Sequence, residues 1–230
     1  MDIAANLSCI HADIAAACAR SDRDPATVRL VAVSKTHPAA AIQAAQAAGQ
    51  TLFGENYVQE FLLKAESVDP PVTWHFLGHL QSNKVKYLAG KVVLIHSLDR
   101  FSLAEEIDRQ WGKLGATAEV LIEVNLGGEM SKAGTAEAGL KPLLRRLAEL
   151  PHLAVRGLML LPPYCTDPEE VRPYFRRLRE LAGEVAALNL PGITMAELSM
   201  GMSHDFSVSI EEGATLIRVG TAIFGERLGR

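Results

Sequence analysis

A lysine stands directly behind an apolar segment near the start of the chain. Residues 29–34 read RLVAVS, a run that favours a buried strand, and Lys35 follows where that strand should end. Pro38 then prevents the strand from continuing. Partial burial lowers the pKa of an amine, and a neutral amine attacks aldehydes. The pattern indicates a lysine that forms a Schiff base, and a structural lysine at the rim of the fold remains the alternative.

Two segments near the other end of the chain are rich in small and hydroxyl-bearing residues. Residues 199–203 read SMGMS, and residues 219–221 read VGT. Glycine lets the backbone approach a ligand closely, while hydroxyl and backbone N–H groups donate hydrogen bonds to anions. Together these segments indicate a phosphate site, provided that the fold brings them to the same place.

The elements that would position these residues are strand-like segments that alternate with helical ones. The stretches between the strands are rich in alanine or carry leucine at helical spacing. Apolar strands that alternate with helices predict a parallel sheet covered on both faces. Eight such units favour a (β/α)8 TIM-type barrel over an open sheet, and no G-x-G-x-x-G follows the first strand. The predicted strands span residues 29–34, 51–56, 73–78, 92–97, 119–125, 155–160, 193–199 and 216–221.

The two ends of the sequence predict how the barrel is completed. Ile3, Leu7, Ile10 and Ile14 have helical spacing, so an extra helix precedes the first strand. The sequence finishes soon after the eighth strand, which leaves little room for an eighth outer helix. We expect the N-terminal helix to take that place, within one domain over residues 1–230 that has no C-terminal β domain.

A barrel would bring the lysine and the two small-residue segments to one face. The active sites of such barrels lie at the carboxyl ends of the strands, and phosphate usually binds after strands seven and eight. Pyridoxal 5′-phosphate (PLP) is both an aldehyde and a phosphate ester. A Schiff-base lysine opposite a phosphate site therefore predicts PLP as the cofactor.

The composition excludes several other classes of protein. The chain of 230 residues is 48% hydrophobic and 22% charged, with a formal net charge of −4, which gives no basic surface for nucleic acid or anionic lipid. The N-terminal twenty residues contain Asp2 and Asp13, unlike a signal peptide, and no apolar stretch is long enough to cross a bilayer. Cys9, Cys18 and Cys165 form no metal-binding pair. We expect a cytoplasmic monomer without a metal site.

Five sequence segments, in order, carry a resemblance to a known family. They are VAVSKTHP, FGENYVQE, WHFLGHLQSNK, ELSMGMSHDF and IRVGTAIFGER. The sequence resembles the pyridoxal phosphate homeostasis protein family, which is related to the N-terminal barrel of the alanine racemases and has PLP fold type III. The resemblance implies that Lys35 carries PLP as an internal aldimine. It also implies that Asn56 lies near the pyridine ring, that Arg218 faces the ring nitrogen, and that five residues surround the phosphate: Ser199, Met200, Gly201, Gly220 and Thr221.

The resemblance implies a role in holding and distributing PLP within the vitamin B6 pool, without robust catalysis. Apo forms of PLP enzymes and amino acids are the expected partners. The racemases that the sequence resembles use a tyrosine from the C-terminal domain of a partner subunit, and Tyr57 and Tyr164 are the nearest internal candidates here. A weak amino-acid racemase is one alternative. A phosphosugar aldolase-type barrel, with Lys35 as its Schiff-base lysine and no cofactor, is another.

A second lysine lies on a glycine-rich loop after the fifth predicted strand. Lys132, in EMSKAG, belongs on the same face of the barrel as Lys35. We predict that it assists the release of PLP onto another amine, and an ordinary solvated lysine is the alternative.

Overall fold

Eight parallel strands close into a barrel in the computed structural model, which describes residues 2–69, 72–127 and 133–226. Each of the eight strands pairs with its neighbours around the barrel, and the last strand pairs with the first, so the ring is complete. A short additional strand, β6, extends from β5. The strands are β1 Arg29–Val33, β2 Leu52–Glu55, β3 Thr73–Phe76, β4 Leu94–Leu98, β5 Ala118–Asn125, β6 Thr135–Ala136, β7 Leu153–Met159, β8 Ile193–Ser199 and β9 Leu216–Val219.

The predicted (β/α)8 barrel is therefore confirmed, and each of the eight predicted strand segments overlaps an observed strand. The boundaries differ by a few residues; β7, for example, begins two residues earlier than predicted, at Leu153. Register places Val31 of β1 opposite Arg218 of β9 and Ala32 opposite Phe53 of β2. The last residues of β1, β2, β8 and β9 consequently share one end of the barrel.

Helices surround the barrel, and the first of them comes before β1. The side chain of Asp2 caps α1 by accepting a hydrogen bond from Ala5 N–H at 3.0 Å. Helix α1 packs against α2, α7 and α8, and Asn6 donates to the carbonyl of Ile223. The predicted N-terminal helix thus completes the outer layer beside a last helix of four residues. The helices are α1 Ile3–Arg20, α2 Ala39–Ala47, α3 Val58–Ser67, α4 Phe101–Gly112, α5 Glu137–Leu147, α6 Arg172–Ala186, α7 Phe206–Glu211 and α8 Thr221–Phe224.

Two apolar cores stabilise this arrangement. The larger core lies between the strands and the helices, and its largest fully buried side chains include Phe53, Phe61 and Phe175. The smaller core lies inside the barrel and includes Val31, Leu121 and Leu216. Burying one such side chain contributes about 1.5–3 kcal/mol. These packed cores hold the strands in place, and with them the polar side chains at the carboxyl ends of the strands.

The described part of the chain contains no helix that is long and apolar enough to cross a membrane. Within the same ranges, no group of three or more His, Cys, Asp or Glu side chains is placed to bind a metal ion. The three cysteines are not joined in disulfides, and Cys18 lies on the buried face of α1.

Candidate functional site

A cavity of about 460 Å3 opens at the carboxyl ends of the strands. Its wall includes side chains that follow or end β1, β2 and β9, together with the loop after β8. Five of the residues predicted from the sequence line it: Lys35, Asn56, Arg218, Gly220 and Thr221.

Lys35 reaches the cavity from a tight turn at the end of β1. His37 N–H donates to the carbonyl of Ser34 at 3.1 Å and closes the turn. Thr36 has φ +66°, the left-handed region in which a β-branched residue is strained. The Lys35 side chain is half-buried, so part of its length is shielded from water. The turn therefore presents the amine to the cavity on a strained but fixed backbone.

Asn56 lies next to Lys35 in the wall, directly after β2. Its side-chain oxygen, Oδ1, is buried and has no hydrogen-bond partner among the described residues. The backbone around Asn56 is closely packed, because a Cβ atom on Gly78 would lie 2.1 Å from the carbonyl oxygen of Asn56. A ligand that donates a hydrogen bond would satisfy this oxygen.

The loop after β8 and the segment after β9 meet in the cavity wall, on the side where β9 pairs with β1. Gly201 has φ +92°, and a Cβ atom there would lie 2.0 Å from Ser209 Oγ, so the position requires glycine. Arg218 N–H donates to the carbonyl of Gly201 at 3.0 Å, which ties the loop to β9. Ser203 lines the cavity beside Gly220 and Thr221. Two hydroxyl groups and a glycine backbone are thereby brought together.

The side chains of Ser199 and Met200 do not line this cavity. Ser199 Oγ lies inside the barrel and accepts a hydrogen bond from Arg218 Nη1 at 2.6 Å. Met200 is fully buried in the larger core, and its N–H donates to the carbonyl of Leu216. Gly201 is likewise not among the residues that line the cavity. The assignment of all five residues to the phosphate, which the family resemblance implies for Ser199, Met200, Gly201, Gly220 and Thr221, stays a prediction.

Arg218 forms the inner wall of the cavity and is held from two sides. Besides Ser199, it donates from Nη2 to the carbonyl of Leu160 at 2.8 Å. Burial lowers the pKa of Arg218 to about 10, and the charges of Asp205 and Glu123 oppose that effect. The guanidinium is therefore charged at neutral pH, and it donates hydrogen bonds without releasing a proton.

A chain of side-chain hydrogen bonds continues from Arg218 through the barrel. His96 Nδ1 lies 2.8 Å from Ser199 Oγ, and His96 Nε2 lies 2.9 Å from His75 Nδ1. Burial lowers the pKa of His75 to about 3 and that of His96 well below its usual range. Both rings are consequently neutral near pH 7, with one N–H donor each. The periodicity of the sequence does not reveal this chain, because its members come from four separate strands.

Glu123, near the top of β5, is a further buried ionisable group. Burial and the charge of Asp99 raise the pKa of Glu123 to about 7, against the opposing charge of Arg218. Its carboxyl group is thus divided between the neutral and charged forms at neutral pH.

The cavity wall also includes residues to which the sequence analysis gave no role in binding the cofactor. His37, Met202 and His204 line the cavity, and the ring of Tyr164 lies 5.9 Å from that of His204. Tyr164 is 84% exposed. Tyr57, the other candidate tyrosine, is outside the cavity wall. Lys132 lies outside the described residues.

Comparison with known proteins assigns the chain to a family. The family model for the alanine racemase N-terminal domain matches residues 6–228. A pyridoxal phosphate homeostasis protein of Aquifex aeolicus is 50% identical over 228 residues, covering 99% of both chains. This chain belongs to the pyridoxal phosphate homeostasis protein family. The family member of Escherichia coli K12 is 41% identical over 230 residues, covering 98% of this chain and 97% of the relative.

Solved structures show the same barrel. PipY of Synechococcus elongatus, solved with PLP bound, has a TM-score of 0.85 and 41% sequence identity, covering 97% of this chain and all of that one. The alanine racemase of Corynebacterium glutamicum has a TM-score of 0.74 at 14% identity, covering 98% of this chain and 61% of the racemase. The racemase likeness is one of fold alone, whereas PipY shares both fold and sequence with this member of the pyridoxal phosphate homeostasis protein family.

Proposed function

We propose that this protein binds PLP in the cavity at the carboxyl ends of the strands, with Lys35 as the Schiff-base lysine. The observation that carries the proposal is the arrangement of the wall. The lysine that follows β1 shares one cavity wall with hydroxyl and glycine residues after β8 and β9, and the Arg218 side chain lines the same wall. The PLP-bound relative PipY, at 41% identity over nearly the whole chain, supports it.

The residues present fit this cofactor. Asn56 Oδ1 is buried and lacks a hydrogen-bond donor among the described residues, and Asn56 lines the cavity, so a bound ligand is placed to complete its hydrogen bonding. Ser203, Gly220 and Thr221 supply hydroxyl and backbone groups suited to phosphate. When bound, PLP supplies an aldehyde that combines with amines and a ring that withdraws electrons. Lys35 would hold the aldehyde carbon, and Arg218 would donate a hydrogen bond to the ring nitrogen.

The function that we propose is storage and distribution of PLP in the vitamin B6 pool, in which the protein passes the cofactor to apo forms of PLP enzymes. Arg218 keeps its proton at neutral pH, so the ring nitrogen stays unprotonated and stabilises a carbanion poorly. That property favours holding the cofactor over reacting it with amino acids. The relatives named as homeostasis proteins support the same role.

Removing the Lys35 amine tests the binding part of this proposal. Lys35→Ala should abolish the visible absorbance of the Schiff base while the protein stays folded, because the side chain lies outside both apolar cores. Lys91→Ala, at an exposed lysine, is the matched control and should keep the wild-type spectrum. Full absorbance in Lys35→Ala would place the attachment elsewhere. A colourless wild type after incubation with PLP would favour the aldolase-type interpretation.

A weak racemase remains the second candidate, because Tyr164 lines the cavity and offers an acid or base besides Lys35. Incubating the PLP-loaded protein with apo PLP enzymes, against free PLP at equal concentration, measures distribution. Assays with both enantiomers of several amino acids measure racemisation. Faster activation of the apoenzymes without turnover of either enantiomer supports distribution, and turnover that is lost in Tyr164→Phe supports the racemase.

A further inference from the structure

A buried cluster of charged groups lies directly behind the Lys35 turn, and the proposed function does not use it. Lys64, on α3, is only 7% exposed. Its Nζ lies 2.7 Å from Glu55 Oε1, 3.1 Å from Glu60 Oε2 and 2.8 Å from the carbonyl oxygen of Ser34. An ammonium group has three N–H donors, so these three acceptors satisfy it completely.

This Lys64 cluster, made of Ser34, Glu55, Glu60 and Lys64, forms hydrogen bonds with the backbone on both sides of Lys35. Lys64 binds the carbonyl of Ser34, the residue before Lys35. Glu60 accepts a hydrogen bond at 2.8 Å from the N–H of Thr36, the residue after it. Ser34 Oγ also donates to Glu55 at 2.6 Å, which joins the turn to the end of β2. One helix therefore fixes the two residues that flank the amine.

The turn needs such support because its conformation is strained. Thr36 adopts φ +66°, where glycine or asparagine is usual and a β-branched side chain is disfavoured. Strained backbone persists only where the surrounding contacts hold it. The contacts to Ser34 and Thr36 are of that kind, and charged groups make both of them, which strengthens each bond.

We propose that Lys64 and Glu60 are positioning residues, which hold the strained turn and thereby direct the Lys35 amine into the cavity. The part that concerns PLP rests on the proposed function, whereas the hold on the turn does not. In the capture step, the Lys35 Nζ lone pair forms a bond to the aldehyde carbon, and the aldehyde oxygen leaves as water with both amine protons. A turn that is released from α3 would present the amine less often in the reactive direction, so capture would slow.

Substitutions on α3 test the proposal with a control on the same helix. Glu60→Ala removes the acceptor of the Thr36 N–H and leaves the Lys64–Glu55 pair in place. Glu66→Ala makes the same change at an exposed position of α3. We expect Glu60→Ala to slow PLP capture about tenfold, the effect of losing one charge-assisted hydrogen bond, and Glu66→Ala to leave it unchanged. Lys64→Met also removes the ammonium group that pairs with the buried Glu55 carboxylate, so a folded Lys64→Met protein should capture PLP more slowly still.

Two further measurements separate positioning from a general structural role. The affinity for PLP without covalent capture, measured in a Lys35→Ala background, should be the same with and without Glu60→Ala. Hydrogen exchange at the Thr36 amide in the cofactor-free protein should be faster in Glu60→Ala than in Glu66→Ala. Unchanged exchange, or faster exchange with an unchanged capture rate, would overturn the proposal. A wild type that captures no PLP would instead overturn the proposed function, while exchange at Thr36 would still decide whether α3 holds the turn.

Discussion

The chemistry of single residues explains why the cavity suits a held cofactor. Arg218 donates to Ser199 Oγ and to the carbonyl of Leu160, so its position is fixed before any ligand arrives. Its charge persists at neutral pH despite burial. A fixed cation that donates but keeps its proton orients a ring nitrogen without making the ring a strong electron sink. Binding and orientation are the tasks that these residues perform best.

Thr221 allows the phosphate side of the cavity to be tested at the scale of one hydroxyl. Thr221→Val keeps the shape of the side chain and removes its hydrogen-bonding oxygen. A hydrogen bond to a charged group contributes about 1.5–3 kcal/mol, so PLP affinity should fall by roughly ten- to a hundredfold. Fluorescence titration measures the affinity, and Thr117→Val, at an exposed threonine before β5, serves as the control. Equal affinities in the two variants would place the phosphate away from Thr221.

At the scale of elements, the loop after β8 depends on one glycine. Gly201 and Gly49 have nearly the same left-handed backbone, with φ +92° and +93°. A Cβ atom on Gly201 would lie 2.0 Å from Ser209 Oγ, whereas one on Gly49 would have no atom within 4 Å. The pair therefore separates crowding from backbone strain.

We expect Gly201→Ala to destabilise the protein by about 1–3 kcal/mol more than Gly49→Ala, the usual effect of overpacking a closely packed position. Urea unfolding measures the difference. The loop carries Ser203 into the cavity, so Gly201→Ala should also weaken PLP binding while Gly49→Ala leaves it intact. A loss of stability that is equal in the two variants would contradict the close packing at Ser209.

Elements were predictable where the signal is local. The eight strands carry their own apolar runs, and the ends of parallel strands in a barrel share one face, so Lys35, Gly220 and Thr221 could be placed together from sequence. The direction of the Ser199 hydroxyl could not be predicted from the sequence, because it is set by Arg218 and His96 on other strands.

Helix α3 contains another feature that the sequence does not predict, the burial of Lys64. A lysine or glutamate on a helix usually faces water, and the sequence gives no sign that Lys64 is buried. Its burial depends on Ser34, which follows β1, and on Glu55, which ends β2, because these two residues supply acceptors that a buried ammonium requires. Contacts between distant segments of this kind are not encoded in the periodicity of any one of them.

At the scale of the whole molecule, the hydrogen-bonded histidines connect the two ends of the barrel. His75 lines a second cavity, of about 410 Å3, at the amino ends of the strands, where Arg29 also lies. Burial, aided by the charge of Arg29, lowers the pKa of His75 to about 3, and His96 is shifted in the same direction. The interior of the barrel therefore opposes protonation of this pair.

The lowered pKa of His75 predicts how the free energy of unfolding depends on pH. A group whose pKa is lower in the folded state stabilises the fold above its unfolded pKa, near 6.5, and the stabilisation is lost as pH falls towards the folded value of about 3. His75→Gln removes one such group, so the loss of stability between pH 6 and 4 should be shallower by about 1.4 kcal/mol per pH unit. His11→Gln, at an exposed position, is the control. Glu123 acts in the opposite direction, since its raised pKa favours the fold at low pH, and it is unchanged in both variants. Parallel pH profiles for His75→Gln and the wild type would contradict neutral burial of His75.

The most direct test of the whole account is to locate the bound cofactor on the chain. The wild-type protein is loaded with PLP, reduced with borohydride so that the Schiff base becomes a stable secondary amine, digested, and analysed by mass spectrometry. We predict a single modified peptide that carries the mass of reduced PLP on Lys35. Modification at full stoichiometry on any other lysine, with Lys35 unmodified, would contradict the assignment of the barrel mouth as the PLP site.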